Sequence, residues 1–215
     1  MANVPFSQLP KPNRIRITGL SGSGKSHLGA RLATLLSVPH AQEDSFHFST
    51  KDFIMDDKQT VDARTLAFTT ANASKGYVTD GFWRDINHIM MPQINVVIEL
   101  QYPIYIILWQ LMKRSVWRCW TGEKLWGTDN VETVWSHLKL WDNDNVFGQT
   151  IRVWWNGSEE PQSAKGKLRR DWFREGWPER GIVPQEYCWT GDRMLLVFKH
   201  PTELDVWLRE VEKMN

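Results

Sequence analysis

The spacing of hydrophobic positions changes along this chain, and each change marks an element. Ile15 and Ile17 alternate with Arg14, Arg16 and Thr18, a period of two that predicts a strand. Leu28, Leu32, Leu35 and Leu36 then recur at helical spacing, and Ser37-Val38-Pro39 breaks that helix. A short second strand is expected over His40 to Glu43, a helix over Val61 to Ala73, and a third strand at Tyr77-Val78, turned by Asp80-Gly81. Asn95 to Leu100 is rich in Val and Ile, as strands covered on both faces are. Pro103 opens a helix running to about Trp120, with Leu108, Leu111 and Met112 expected on its inner side. Met194 to Phe198 predicts a fifth strand, and Pro201 begins a last helix with Leu204, Trp207, Leu208 and Val211 on one face. Strands alternating with helices predict an α/β fold of three layers, α/β/α, around a five-stranded parallel sheet.

The first strand and helix enclose Gly19-Leu20-Ser21-Gly22-Ser23-Gly24-Lys25-Ser26, which satisfies G-x-x-x-x-G-K-[ST] without a mismatch. Strand, glycine loop and helix together make a phosphate site, since the loop turns its N–H groups inward and the helix N-terminus adds a positive field. The pattern predicts ATP with Mg²⁺: Gly19, Ser21, Gly22, Ser23, Gly24, Lys25, Ser26 and His27 around the phosphates, Lys25 on the β- and γ-phosphates, and the Ser26 hydroxyl on the metal.

Two acids are expected at strand ends, and in an open parallel sheet those ends face the ligand crevice. Asp44 follows the second strand, where it either serves the acceptor or caps a helix. Asp80 ends the third strand, where it would join Ser26 in holding Mg²⁺, and Arg84 close by offers a planar fork for a phosphate or carboxylate. Arg114 and Arg118 stand four apart on one helix face. They either clamp the triphosphate during reaction or form a solvated basic helix end.

Length and composition set the frame. The 215 residues suit one domain, 14–215, after a loose leader over 1–13, with 113–190 as a helical lid or insertion rich in tryptophan. Of 13 tryptophans, only Trp83 precedes residue 109, so the aromatic character belongs to the second half. Lys165 to Arg180 mixes bases, acids and tryptophans, a pattern open to strand stacking or to an amphipathic lid, and the interspersed acids favour the lid. A formal charge of +1 counts against a nucleic-acid partner. Cys119 and Cys188 lack metal-ligand spacing, no apolar run reaches a membrane span, and no signal-peptide pattern opens the chain, so a cytoplasmic protein is expected.

Asp80-Gly81-Phe82-Trp83-Arg84 is similar to the Asp-Gly-Phe-Pro-Arg segment of adenylate kinases, with Trp83 in place of the proline. That similarity implies an acceptor phosphate on Arg84. Gln42-Glu43-Asp44-Ser45-Phe46 resembles the strand-end segment of uridine and nicotinamide riboside kinases, which implies action of Asp44 on an acceptor hydroxyl; Phe46, in the same segment, is expected among the substrate-binding residues. Over its length the chain resembles the adenylate-kinase-like topology-modulation family of P-loop proteins. The resemblance rests on the loop, the Asp44 segment, Asp80-Gly81, the basic helix end, Lys124 to Asn130 and Lys199 to Leu204, while the stretch from about Asn156 to Glu186 is longer than in that family. It implies a kinase-like fold that moves the γ-phosphate of ATP to a small acceptor, a nucleoside or nucleotide. The alternative is a nucleotide-binding or nucleotide-hydrolysing regulator associated with nucleic acid.

Overall fold

The computed structural model describes residues 6–49, 54–81, 83–122 and 193–213, with short pieces at 124–125, 128, 130–131, 147–148 and 150–151. β1 (Arg14–Gly19) leads through the glycine loop into α1 (Lys25–Leu36), where Ser37 takes a left-handed conformation (φ 52°) and ends the helix. β2 (His40–Gln42) and the one-turn α2 (Asp44–His47) follow, then α3 (Lys58–Asn72), whose first turn is capped by Asp57 accepting the Thr60 N–H at 3.0 Å. β3 (Tyr77–Asp80), α4 (Asn87–Met90) and β4 (Val96–Leu100) complete the first half. α5 (Ile104–Thr121) closes on Gly122 at φ 61°. β5 (Lys124–Leu125) and β6 (Asn130–Val131) pair antiparallel, and β7 (Met194–Phe198) precedes α6 (Pro201–Lys213).

The main sheet runs in the order β2-β3-β1-β4-β7, every neighbouring pair parallel. This is the three-layer α/β/α fold around a five-stranded parallel sheet expected from the alternation of strands and helices. β1 is central, and the chain leaves it for one side of the sheet before crossing to the other, so the ligand crevice falls at its carboxyl end.

The sheet has two unlike faces. On the first, Ile15, Ile17, Val78, Val96, Ile98, Leu196 and Phe198 meet Leu28 and Leu32 of α1 and Leu204, Trp207, Leu208 and Val211 of α6. On the second, Tyr77 and Val97 pack with Phe46, Val61, Ile86, Met90, Met91 and Ile94 from the segments carrying α2, α3 and α4.

Several expectations are corrected. The leader is not loose from Phe6 onward: Phe6 and Leu9 are buried, and the Phe6 ring meets Trp207 edge-on at 5.8 Å. The carbonyls of Pro10 and Pro12 accept from the Asn95 amide, which ties this segment to the base of β4. Met112 does not face inward but is 43% exposed, because Ile107, Leu111 and Ser115 define the buried stripe of α5. The outer face of that helix carries Tyr105, Trp109, Val116, Trp117 and Trp120, all exposed. α5 continues unbroken through Thr121, so residues 113–121 are helical. Most of the remaining stretch assigned to a lid, including Lys165 to Arg180, lies outside the described residues. β2 stops at Gln42 rather than Glu43, and α3 starts three residues earlier than its apolar pattern suggests. No helix among the described residues is long and apolar enough to cross a membrane.

Candidate active site

The glycine loop gets its shape from two left-handed positions, Gly22 (φ 85°) and Gly24 (φ 87°). A methyl group at Gly22 would lie 2.8 Å from the Ile107 carbonyl oxygen and 2.9 Å from Leu111 Cβ, so the loop rests its back against α5. The same group at Gly24 would meet nothing within 4 Å among the described residues, so there the loop has an open side. The Ser23 N–H closes the turn on the Leu20 carbonyl at 3.1 Å. Lys25 and Ser26 form the first turn of α1, with Ser21 half-buried, Ser23 buried and His27 exposed. The Lys25 ammonium sits 3.5 Å from the Leu20 carbonyl oxygen.

The end of β3 meets this turn. Asp80 is 4% exposed and uses both carboxylate oxygens: Oδ2 accepts from the Ser26 hydroxyl at 2.5 Å, and Oδ1 from His40 Nε2 at 2.8 Å. His40 fits because Gly29 of α1 has no side chain, since a β-carbon there would strike the imidazole. Ser26 and Asp80 therefore present two hard oxygen donors side by side at the loop, a donor set that suits Mg²⁺. Among the described residues no three or more His, Cys, Asp or Glu side chains converge as metal ligands. Mg²⁺ does not need such a cage, because it keeps several waters and shares one or two protein oxygens with substrate phosphates.

Asp44 opens α2 without capping it through its side chain. Its Oδ1 instead accepts the Trp83 indole N–H at 2.7 Å. Burial raises the Asp44 pKa above its usual value; the Trp83 hydrogen bond and the Lys25 ammonium pull against that, and the Asp80 and Glu43 carboxylates add to it. Asp44 thus lies within the electrostatic reach of the phosphate loop. Phe46, in contrast, points into the core, buried and 5.6 Å from the Phe68 ring, so it packs under α3 rather than facing an acceptor. Arg84 lies half-buried between β3 and α4, where its carbonyl accepts the Asn87 N–H. Arg114 and Arg118 are half-buried on the side of α5 that bears Leu111, one and two turns beyond the contact with Gly22.

Beneath the site lies a polar cluster that pattern reasoning missed. Arg16 and Glu43 are both 0% exposed, and the guanidinium holds the carboxylate through two bonds of 2.6 and 2.7 Å. Arg16 also donates to Asn87 Oδ1 at 2.6 Å and to the Trp83 carbonyl at 3.3 Å, while Glu43 Oε2 accepts the Trp83 N–H at 3.1 Å. His47 is buried with its ring stacked on Trp83 at 3.9 Å. It contacts the Glu43 carbonyl through Nδ1 and the Asp85 carboxylate through Nε2, both at 3.0 Å. Burial would lower the His47 pKa, but these two partners outweigh it and raise the value. Asp85 shows the converse: burial pushes it up, and the His47 bond and charge bring it below its usual value. One signal was available in sequence. An arginine at the centre of a strand covered on both faces must find an acid, since unpaired buried charge is so costly.

Structural comparison gives distant likenesses. A sugar kinase from a Janibacter species aligns over 94% of this chain and 92% of its own, with 12% identity and a TM-score of 0.44. A gluconokinase from Sinorhizobium meliloti aligns over 94% and 93%, with 13% identity and a TM-score of 0.44. No protein-family model and no curated protein matches the chain. The reading of the site rests on its own geometry.

Proposed function

We propose that this chain is a phosphotransferase that moves the γ-phosphoryl group of ATP to a small acceptor, a nucleoside or nucleotide. The observation that carries this reading is the 2.5 Å contact between Ser26 of the phosphate loop and Asp80 at the end of β3, with Asp44 close enough to feel Lys25. Ser26 and Asp80 would hold Mg²⁺, which spreads the charge that builds on the phosphates. Lys25 draws the phosphates toward the helix N-terminus. Asp44 takes the acceptor hydroxyl proton as the new O–P bond forms and the bond to the ADP oxygen breaks. Arg84 orients the acceptor, and Arg114 and Arg118 offset charge that grows in the transition state.

A thermal-shift screen of nucleosides and nucleotides, with and without Mg²⁺-ATP, followed by a coupled phosphotransfer assay on each hit, tests it. At least one acceptor should be phosphorylated, and Lys25→Ala should lose ATP affinity by calorimetry without losing the fold. ATP turnover with no acceptor phosphorylated would favour a hydrolysing regulator instead. Equal ATP affinity in parent and Lys25→Ala would remove the nucleotide assignment altogether.

A further inference from the structure

Trp83 occupies the position that is proline in the similar adenylate kinase segment, and the structure gives the tryptophan a task no proline could perform. Its indole N–H donates to Asp44 Oδ1 at 2.7 Å, and among the described residues that is the hydrogen bond the Asp44 side chain makes. The tryptophan is itself held at three other points. Its backbone N–H donates to Glu43 Oε2 at 3.1 Å, its carbonyl accepts from Arg16 at 3.3 Å, and its ring lies on His47 at 3.9 Å with an interplanar angle of 20°. The acid and base of that clamp, Glu43 and Arg16, are fully buried and bonded to each other, so the backbone of Trp83 is fixed to the sheet. His47 in turn is anchored to the Glu43 carbonyl and the Asp85 carboxylate. Four restraints act on this one half-buried residue, two on its backbone and two on its side chain. Their common effect is to aim one N–H at one carboxylate oxygen.

We propose that Trp83 is a positioning residue for Asp44: it occupies Oδ1, fixes the carboxylate plane, and leaves Oδ2 turned to the acceptor. The inference rests on the reading of Asp44 as the acceptor-side carboxylate. Charged groups acting on Asp44 come from three elements, Lys25 of α1, Glu43 at the head of α2 and Asp80 of β3, and none of them supplies this directional hydrogen bond. A neutral donor does what a cation there would overdo. It orients the carboxylate while burial keeps the group a competent base.

The test is Trp83→Phe, which keeps an aromatic ring for His47 and removes the N–H. Should that variant fail to fold, benzothienylalanine at position 83 keeps both rings and replaces only the N–H by sulfur. Three readings are taken on each protein: ATP affinity by calorimetry, the pH profile of kcat, and the Asp44 carboxyl titration by carbon NMR. The expected result is unchanged ATP affinity, a fall in kcat of tenfold or more, and a shift to higher pH of both the Asp44 titration and the acid limb of kcat. The shift has this sign because losing a donor to the charged form makes the carboxylate easier to protonate. An unmoved Asp44 titration, or a moved titration with parental kcat, overturns the proposal. A parent with no acceptor at all defeats the phosphotransfer reading separately, and the NMR shift then still decides whether Trp83 governs Asp44.

Discussion

The two faces of the sheet solve the same burial problem by different means. The face under α1 and α6 is apolar over its interior, where the hydrophobic effect holds it, and turns polar only at its rim, where Asp80 meets Ser26 and His40. The opposite face is apolar at the level of Tyr77 and Val97, but toward the carboxyl ends of the strands it carries Arg16, Glu43, Asn87 and His47, all buried. A buried ion pair adds little net stability over a well-packed apolar pair, because desolvation consumes most of its attraction. What it supplies here is position: Arg16 and Glu43 hold the backbone of Trp83 from both sides beneath Asp44. The first face holds the sheet together by apolar contact over its interior, and the second holds Trp83 in place through a buried polar cluster.

The sharpest way to break this contrast is to unpair the second face. Glu43→Ala leaves Arg16 charged and buried without its carboxylate, and should cost about 3–5 kcal/mol in urea unfolding. Arg16→Met combined with Glu43→Leu should recover most of that stability while loosening Trp83. If the double variant is as unstable as the single one, stability rather than position is the pair's main contribution. On the apolar face, Leu32→Ala should cost about 3 kcal/mol through the cavity it leaves, with ATP affinity intact. The smallest effect concerns His47 and Asp85. The His47 pKa is raised, so its contribution is complete below its ordinary 6.5 and is lost as pH rises through the folded value. Asp85 is lowered, so its share is present above its ordinary 3.8 and is lost as pH falls through its folded value. The pair therefore contributes most between those limits, by less than about 1 kcal/mol because solvent screens the partly exposed Asp85. The stability difference between parent and His47→Gln should peak near pH 5, between the two ordinary values, and shrink on both sides.

The apolar face was legible in the sequence for the same reason it is simple. Ile15 and Ile17, Leu28 and Leu32, and Leu204 through Val211 each obey one period because each meets a single buried surface. The glycine loop was legible because its motif specifies backbone conformation, and Gly22 and Gly24 take up that conformation locally. The buried pair escaped notice because Arg14-Ile15-Arg16-Ile17 reads as a strand with one solvated face, whereas sheet order sets β1 at the centre. Sheet order also brings Glu43 across from 27 residues away, which no local period can report. Phe6 and Leu9 were passed over because two apolar residues among prolines make no period, although Trp207 was waiting for one of them. The inner face of α5 was partly misread, since Met112 is apolar and yet faces outward.

The close fit of Gly22 against α5 makes that helix a lever with a fixed fulcrum. Leu111, which meets the loop, stands near the middle of an 18-residue rod, so neither end can swing without turning about the phosphate site. Arg118 lies seven residues farther on, about 10 Å along the axis at 1.5 Å per residue. A tilt of about 6° about the fulcrum would carry its Cα by about 1 Å at that radius, while the loop itself stays still. The fit beneath Gly22 leaves less room than a methyl group needs, so the arrangement tolerates rotation of the helix far better than translation toward the loop.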